Sequence, residues 1–390
     1  MEVVCRALEG TAVPSLAVPQ PISRRDSVLR TRPAARRAAL AVIAALAATL
    51  AIGPATASAK TDRELTVMSY NLYLGSSLDP ALDPDVDTLP EFVGAVAQIY
   101  GTAQFTNFPA RAEAIADLIE AKQPDLIGLQ EVTNWITTGT APSYDFLAIL
   151  QNALDARGLN YAVGAVSNNA NIGPAPLISP SSGCLVALPV PDCTVTLKDR
   201  DVILVNEDTP GLTWNNPKSA LYEDQQVLNS PAGPLSFDRG WASINARLKG
   251  QPFKFVNTHL EVEGFAAVQE AQAAEFVSGP ARGGTVIATG DFNSAADGST
   301  TTSYAQLTAP GKLRDAWDED ALGTGNTCCQ NSTLTNFPPS LTSRIDLILS
   351  RAAARATGEA EVIGGTPFQL APPLYPSDHA GVVANIRLNG

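Results

Sequence analysis

Histidine is nearly missing from this protein: His259 and His379 are the only two in 390 residues. Cysteine is sparse as well, and its five copies form neither a CxxC pair nor a Cys/His cluster at ligand spacing, which argues against a zinc centre. Positive charge is short. The 26 Lys and Arg face 39 Asp and Glu, a net charge of −13, so there is no general counterion-release attraction to nucleic acid and no pull toward anionic membranes. That balance disfavours a nuclease without excluding one that grips DNA through a local patch. The longest apolar run, Ala38 to Ile52, falls short of the roughly 20 residues of a spanning helix. No internal repeat or low-complexity array is present. What remains is the composition of an ordinary globular protein, 45% hydrophobic and 17% charged.

The first 59 residues differ from the rest. Arg24, Arg25, Arg30, Arg32, Arg36 and Arg37 precede the apolar run, and Ala57-Ser58-Ala59 follows it. This is the order of a secretory signal: positive region, apolar region, small-residue cleavage site. The expectation is removal of 1–59, leaving 60–390 as a secreted domain with no transmembrane segment; retention as an N-terminal anchor is the alternative. Residues 1–59 hold seven of the basic and three of the acidic residues, so the remainder carries −17. Cys5 leaves with the signal. Export favours disulfides among the other four, with Cys184–Cys193 expected as a local staple, although three connectivities are formally open.

Strands and helices alternate through the remainder. Glu64–Leu74 is β-rich. Pro109–Lys122 has the periodicity of an amphipathic helix, with Ile115, Leu118 and Ile119 on one face. Asp125–Val132 reads as a strand, Ser143–Arg157 as a helix and Asn160–Val166 as a strand. From about 167 to 236 the pattern loosens into Pro, Asn, Ser and Gly, expected to be a loop-rich insertion with one strand at Asp201–Asn206. Such loops either select substrate or merely connect. Strands return at Trp241–Leu248, Phe253–Leu260, Thr285–Ala288, Arg344–Leu349 and Gly381–Leu388, with a helix at Gly264–Val277. Strands in close succession with few helices imply mixed or antiparallel sheets with helices outside.

Several apolar strands end in a carboxylate or carboxamide: Asn71 after VMSY, Glu131 after LIGLQ, Asp291 and Asn293 in GDFN, and Asp346 in RID. Converging, such ends make an oxygen-rich site suited to a hard divalent cation. The ordered set SYNLY, QEV, NTHLE, GDFN, RIDLIL and SDH, spanning roughly residues 64–390, resembles the endonuclease/exonuclease/phosphatase superfamily with its DNase I-like fold. That superfamily includes DNase I, abasic-site endonucleases, inositol-polyphosphate phosphatases and neutral sphingomyelinases. The resemblance implies an α+β fold, a four-layer α/β/β/α sandwich of two mostly antiparallel sheets flanked by helices. It also implies a Mg²⁺-dependent phosphoesterase, with Mn²⁺ as a substitute.

Carried over residue by residue, Glu131 is the principal metal ligand, with Asn71 and Asp378 in support. Asp291 positions or deprotonates the attacking water, and Asn293 holds the scissile phosphate. His379, paired with Asp346, is the essential imidazole, acting as base or as phosphate stabiliser. His259 is the general-acid candidate. Arg239 is either a phosphate clamp or a surface residue. The residue two positions after Asn71 is Tyr73, where the abasic-site branch carries an acid, and that branch generally lacks the histidine of NTHLE. Three substrate classes stay open: nucleic acid, choline phospholipid or sphingomyelin, and small phosphoesters. The alternative of another class is a catalytically idle binding module. No obligate protein partner is evident.

Overall fold

A computed structural model describes residues 63–317 and 323–389; the expected signal segment lies outside them. The chain runs β1 (Glu64–Asn71), α1 (Leu89–Phe105), α2 (Phe108–Lys122), β2 (Leu126–Gln130), α3 (Phe146–Asp155), β3 (Tyr161–Pro176), β4 (Thr194–Asn206), β5 (Leu212–Leu221), β6 (Gly240–Leu248), β7 (Gln251–His259), α4 (Ala266–Ser278), β8 (Val286–Asp291), β9 (Asp346–Arg351) and β10 (Gly381–Leu388), with shorter elements between. In the first sheet β10, β1, β2 and β4 lie side by side, and β3 pairs along the length of β4. In the second, β9, β8, β7, β6 and β5 follow one another. Each sheet contains one parallel pair, β1 with β2 and β7 with β8; the neighbouring pairings are antiparallel.

The sheets pack face to face through Leu65, Val67 and Ile203 against Ile244, Phe255 and Ile287. Burying each such side chain contributes about 1.5–3 kcal/mol. Helices α1 to α3 cover the outer face of the first sheet, with Ile99, Phe108, Ile115 and Ile119 against Tyr70, Ile127 and Leu129. Helix α4 covers the second through Phe276 and Val277, against Val256 and Ala288. This is the expected four-layer sandwich.

The sheets approach each other closely at Gly128. A Cβ on Gly128 would fall 2.0 Å from Thr289 Oγ1 and 2.4 Å from Asn257 Oδ1, so no larger residue fits. Asn257 uses that proximity to donate to the carbonyls of Leu129 (2.8 Å) and Val202 (3.2 Å) across the interface.

One expectation is corrected, and one helix went unread. The stretch 167–236 is largely strand: β3 continues to Pro176, β4 begins at Thr194, β5 occupies Leu212–Leu221, and Val227–Ser230 pairs with Gly233–Ser236. Its polar composition arises because β5 is an exposed edge strand, where solvent rather than a core meets the side chains. Helix α1 was unread, although Thr88 and Glu91 form a capping box at its start. Among the described residues no helix is long and apolar enough to cross a membrane.

Candidate active site

Each parallel pair delivers polar side chains from its carboxyl end, where ligands gather in α/β sheets. Asn71 is the last residue of β1. Glu131 follows β2 at φ 55°, a left-handed conformation that costs a residue with a Cβ about 1–2 kcal/mol. Its carboxylate accepts from Leu74 N at 2.7 Å and Asn71 Nδ2 at 3.1 Å. Asp291 closes β8; its Oδ2 accepts from Asn71 Nδ2 at 3.0 Å and its Oδ1 from Asn293 N at 2.9 Å.

Sheet register brings the rest to the same point. His259 at the end of β7 and Asp346 at the start of β9 both stand opposite Asp291. His259 Nε2 lies 3.4 Å from Asp291 Oδ2 and 3.0 Å from Asn293 Nδ2. His379 Nδ1 lies 2.8 Å from Asp346 Oδ2, with Nε2 3.8 Å from Asp291 Oδ2. Glu131, Arg239, His259, Asp291, Asn293 and His379 line a cleft of about 1340 Å³, open mouth included. Asn71, Asp346 and Asp378 are buried behind it. Asp378, expected to support a metal, acts electrostatically on Arg111 and His379.

The two histidines are driven apart. Burial pushes His259 well below the ordinary value, and the guanidinium of Arg239 adds to this, with Nη1 3.0 and 3.1 Å from the two ring nitrogens. Burial would also lower His379, but Asp346, Asp291 and Asp378 outweigh it and hold the imidazole well above its ordinary value. Burial, with Asp346 adding to it, raises the Asp291 carboxyl to about 7. Burial and Arg239 thus favour the neutral imidazole at His259, the general-acid candidate. Arg239 is no surface residue: it is 6% exposed, with Nη2 3.7 Å from Glu261 Oε1.

Arg111 went unread in the sequence. Fully buried, it donates through Nη1 to the carbonyls of Leu72 (2.6 Å) and Pro376 (2.9 Å) and through Nη2 to that of Tyr73 (3.2 Å), tying the first motif to the last. The available signal was its spacing: Arg111 lies four and eight residues before Ile115 and Ile119, on the apolar face of α2. Ser377 adds a second tie, donating to Asn71 O at 2.7 Å and accepting from His379 N at 3.2 Å. Cys184–Cys193 is a disulfide, and Cys328–Cys329 is a vicinal one whose Cys329 Sγ lies 3.8 Å from His379 Nε2.

Behind Arg239, Asp199 and Asp201 are fully buried and share the amide of Asn169, 3.4 and 2.8 Å away. Burial raises Asp199 to about 7 and Asp201 well above its ordinary 3.8. A folded-state value above the unfolded one contributes stability below pH 3.8 that is lost as pH rises through about 7. As pH rises through about 7 the protein therefore takes on the cost of ionising Asp199 beside Asp201. Asp201→Asn is expected to raise the unfolding free energy by roughly 1–3 kcal/mol at pH 8, with less gain at pH 5. Thermal unfolding at both pH values checks this; an equal or larger gain at pH 5 would contradict it.

The site fits a hard divalent cation. Glu131 and Asp291 present carboxylate oxygens, and the space between them is filled by the amide N–H of Asn71, a partial positive charge; the Oδ1 of Asn71 accepts from Tyr73 N. Asp346 Oδ1 is buried without a hydrogen-bond partner.

The fold has counterparts among known proteins. Among solved structures, an endonuclease/exonuclease/phosphatase family protein from Bacteroides thetaiotaomicron superposes with a TM-score of 0.53 at 18% identity, over 84% of this chain and 95% of the other. One from Leptotrichia buccalis gives 0.52 at 15%, over 83% and 100%. TDP2 from D. rerio, solved with a single-strand DNA product, gives 0.50 at 14%, over 83% and 99%. These likenesses establish the fold. No curated protein matches the sequence significantly. The model of the endonuclease/exonuclease/phosphatase family matches residues 68–379, from within β1 to the second histidine, and the chain belongs to that family.

Proposed function

We propose that the protein is a secreted, Mg²⁺-dependent phosphodiesterase that hydrolyses its substrate by in-line attack of water. The observation that carries this reading is the convergence on Asp291 Oδ2 of Asn71, His259 and His379, at 3.0, 3.4 and 3.8 Å, on the wall of an open cleft. Asp291, with its carboxyl near 7, is matched to take the proton of the attacking water at neutral pH. His379 carries positive charge toward the phosphoryl oxygens, which favours its role as stabiliser over that of base. Asn293 positions the phosphate, and Arg239 adds fixed charge beside His259. Glu131 and Asn71 would hold the cation, which when bound supplies Lewis-acid charge to the phosphoryl group. As water adds to phosphorus, the opposite P–O bond breaks with its electron pair on the leaving oxygen.

The test is turnover of bis(p-nitrophenyl) phosphate by the protein in Mg²⁺. No turnover by a folded preparation, on this or any other phosphoester, would leave an idle binding module. Because Asp291 takes a proton at about pH 7 in the cation-free site, a proton and a cation compete there. The apparent Mg²⁺ affinity is expected to rise by up to tenfold per pH unit below about 7 and to level off above. Calorimetric titration from pH 5.5 to 8.5 measures this; a pH-independent affinity would remove Asp291 from the competition.

A further inference from the structure

The cleft has two unlike ends. Glu131, Asp291 and His379 stand at one; the rest of the wall is mainly apolar, including Phe92, Val96, Ala175, Val195, Leu235 and Phe237. Those six come from α1, from the β3–β4 hairpin and from the segment between β5 and β6. An apolar wall of this extent beside a phosphoryl site gives an aqueous, highly charged ligand nothing to bind, and it fits a ligand with a hydrocarbon portion.

A second observation lies on the same hairpin. Between Ala175 and Val195 the chain forms the loop stapled by Cys184–Cys193. Its Leu185, Val186, Leu188 and Val190 are exposed, Leu185 by 66% and Val190 by 75%, and Asp192 is its only charged residue. A covalently closed, apolar, nearly uncharged tip suits the surface of a lipid layer more than water. The net negative charge of the protein selects a zwitterionic layer over an anionic one.

Resting on the phosphoesterase reading, we propose that the cleft seats the hydrocarbon tail of an amphiphilic phosphoester, drawn from a zwitterionic lipid surface that the stapled loop meets. The phosphate lies at the Asp291–His379 end and the tail runs along Val96, Ala175 and Leu235.

Binding is measured first, by calorimetry of the full chain in Mg²⁺ with methyl, butyl and octyl phosphonate, none of which can be hydrolysed. Affinity is expected to rise about fourfold per methylene, and Ala175→Trp or Leu235→Asp to flatten the series. Equal affinity for the methyl and octyl compounds overturns the assignment. So does tighter binding of thymidine methylphosphonate than of octyl phosphonate, which would mean the cleft seats a base. A protein that binds octyl phosphonate yet hydrolyses no ester keeps the tail site and loses the catalytic reading; one that cleaves esters indifferently to tail length does the reverse. Cosedimentation with phosphatidylcholine vesicles, lost in the double variant Leu185→Asp and Val190→Asp, tests the surface. Absence of wild-type cosedimentation overturns the lipid source.

Discussion

His379→Ala is expected to lower kcat on a phosphodiester by about 10³- to 10⁴-fold while leaving KM within a few-fold. The imidazole is held cationic by three carboxylates, and its Nε2 faces Asp291 across 3.8 Å. Removing it leaves Asp291 and Asp346 crowded without the cation between them, and removes positive charge from where the phosphoryl group gains negative charge. Asp346→Asn should cost less, about 10²-fold. It keeps an acceptor for Nδ1 but deletes the charge that does most to raise His379. Steady-state kinetics of both variants measure this, with circular dichroism to establish that each is folded. Wild-type turnover by His379→Ala would dispose of the catalytic assignment.

The second large effect is chelation. Excess EDTA should reduce turnover by roughly 10³-fold or more, and added Mg²⁺ should restore it. Without a cation, Glu131, Asp291 and Asp346 present net negative charge to an anionic substrate, and the remaining compensation from Arg239 and His379 is already engaged by protein carboxylates. Glu131→Gln isolates the ligand role. The amide oxygen of Gln can still accept from Leu74 N, so the local loop survives, while the Mg²⁺ concentration for half-maximal rate should rise about 10- to 100-fold. Activity indifferent to EDTA would remove the cation from the mechanism.

Much of the site could be read in advance because its residues sit at strand ends, and strand ends are marked by the switch from apolar run to polar residue. Asn71, Glu131, His259, Asp291 and Asp346 all fall at such switches, and register then forces His259, Asp291 and Asp346 together. What was not legible depends on partners distant in sequence. The protonation states of the two histidines follow from Arg239 on one side and three carboxylates on the other, and neither neighbourhood is local. Arg111 acts on backbone carbonyls, which have no sequence signature. The strands within 167–236 were hidden because β5 faces solvent and β3 carries register shifts at three places, so neither shows a clean two-residue alternation.

The first and last long strands, β1 and β10, are neighbours, and the SDH segment reaches Asn71 through Ser377 across 306 residues of sequence. Synthesis proceeds from the other end. A growing chain already carries Asn71, Glu131, His259 and Asp291 while it still lacks His379, the anchor Pro376 offers Arg111, and the strand that flanks β1. Until that segment is made, the site lacks the imidazole that pairs with Asp346, so the site is completed by the same contact that closes the first sheet on β1.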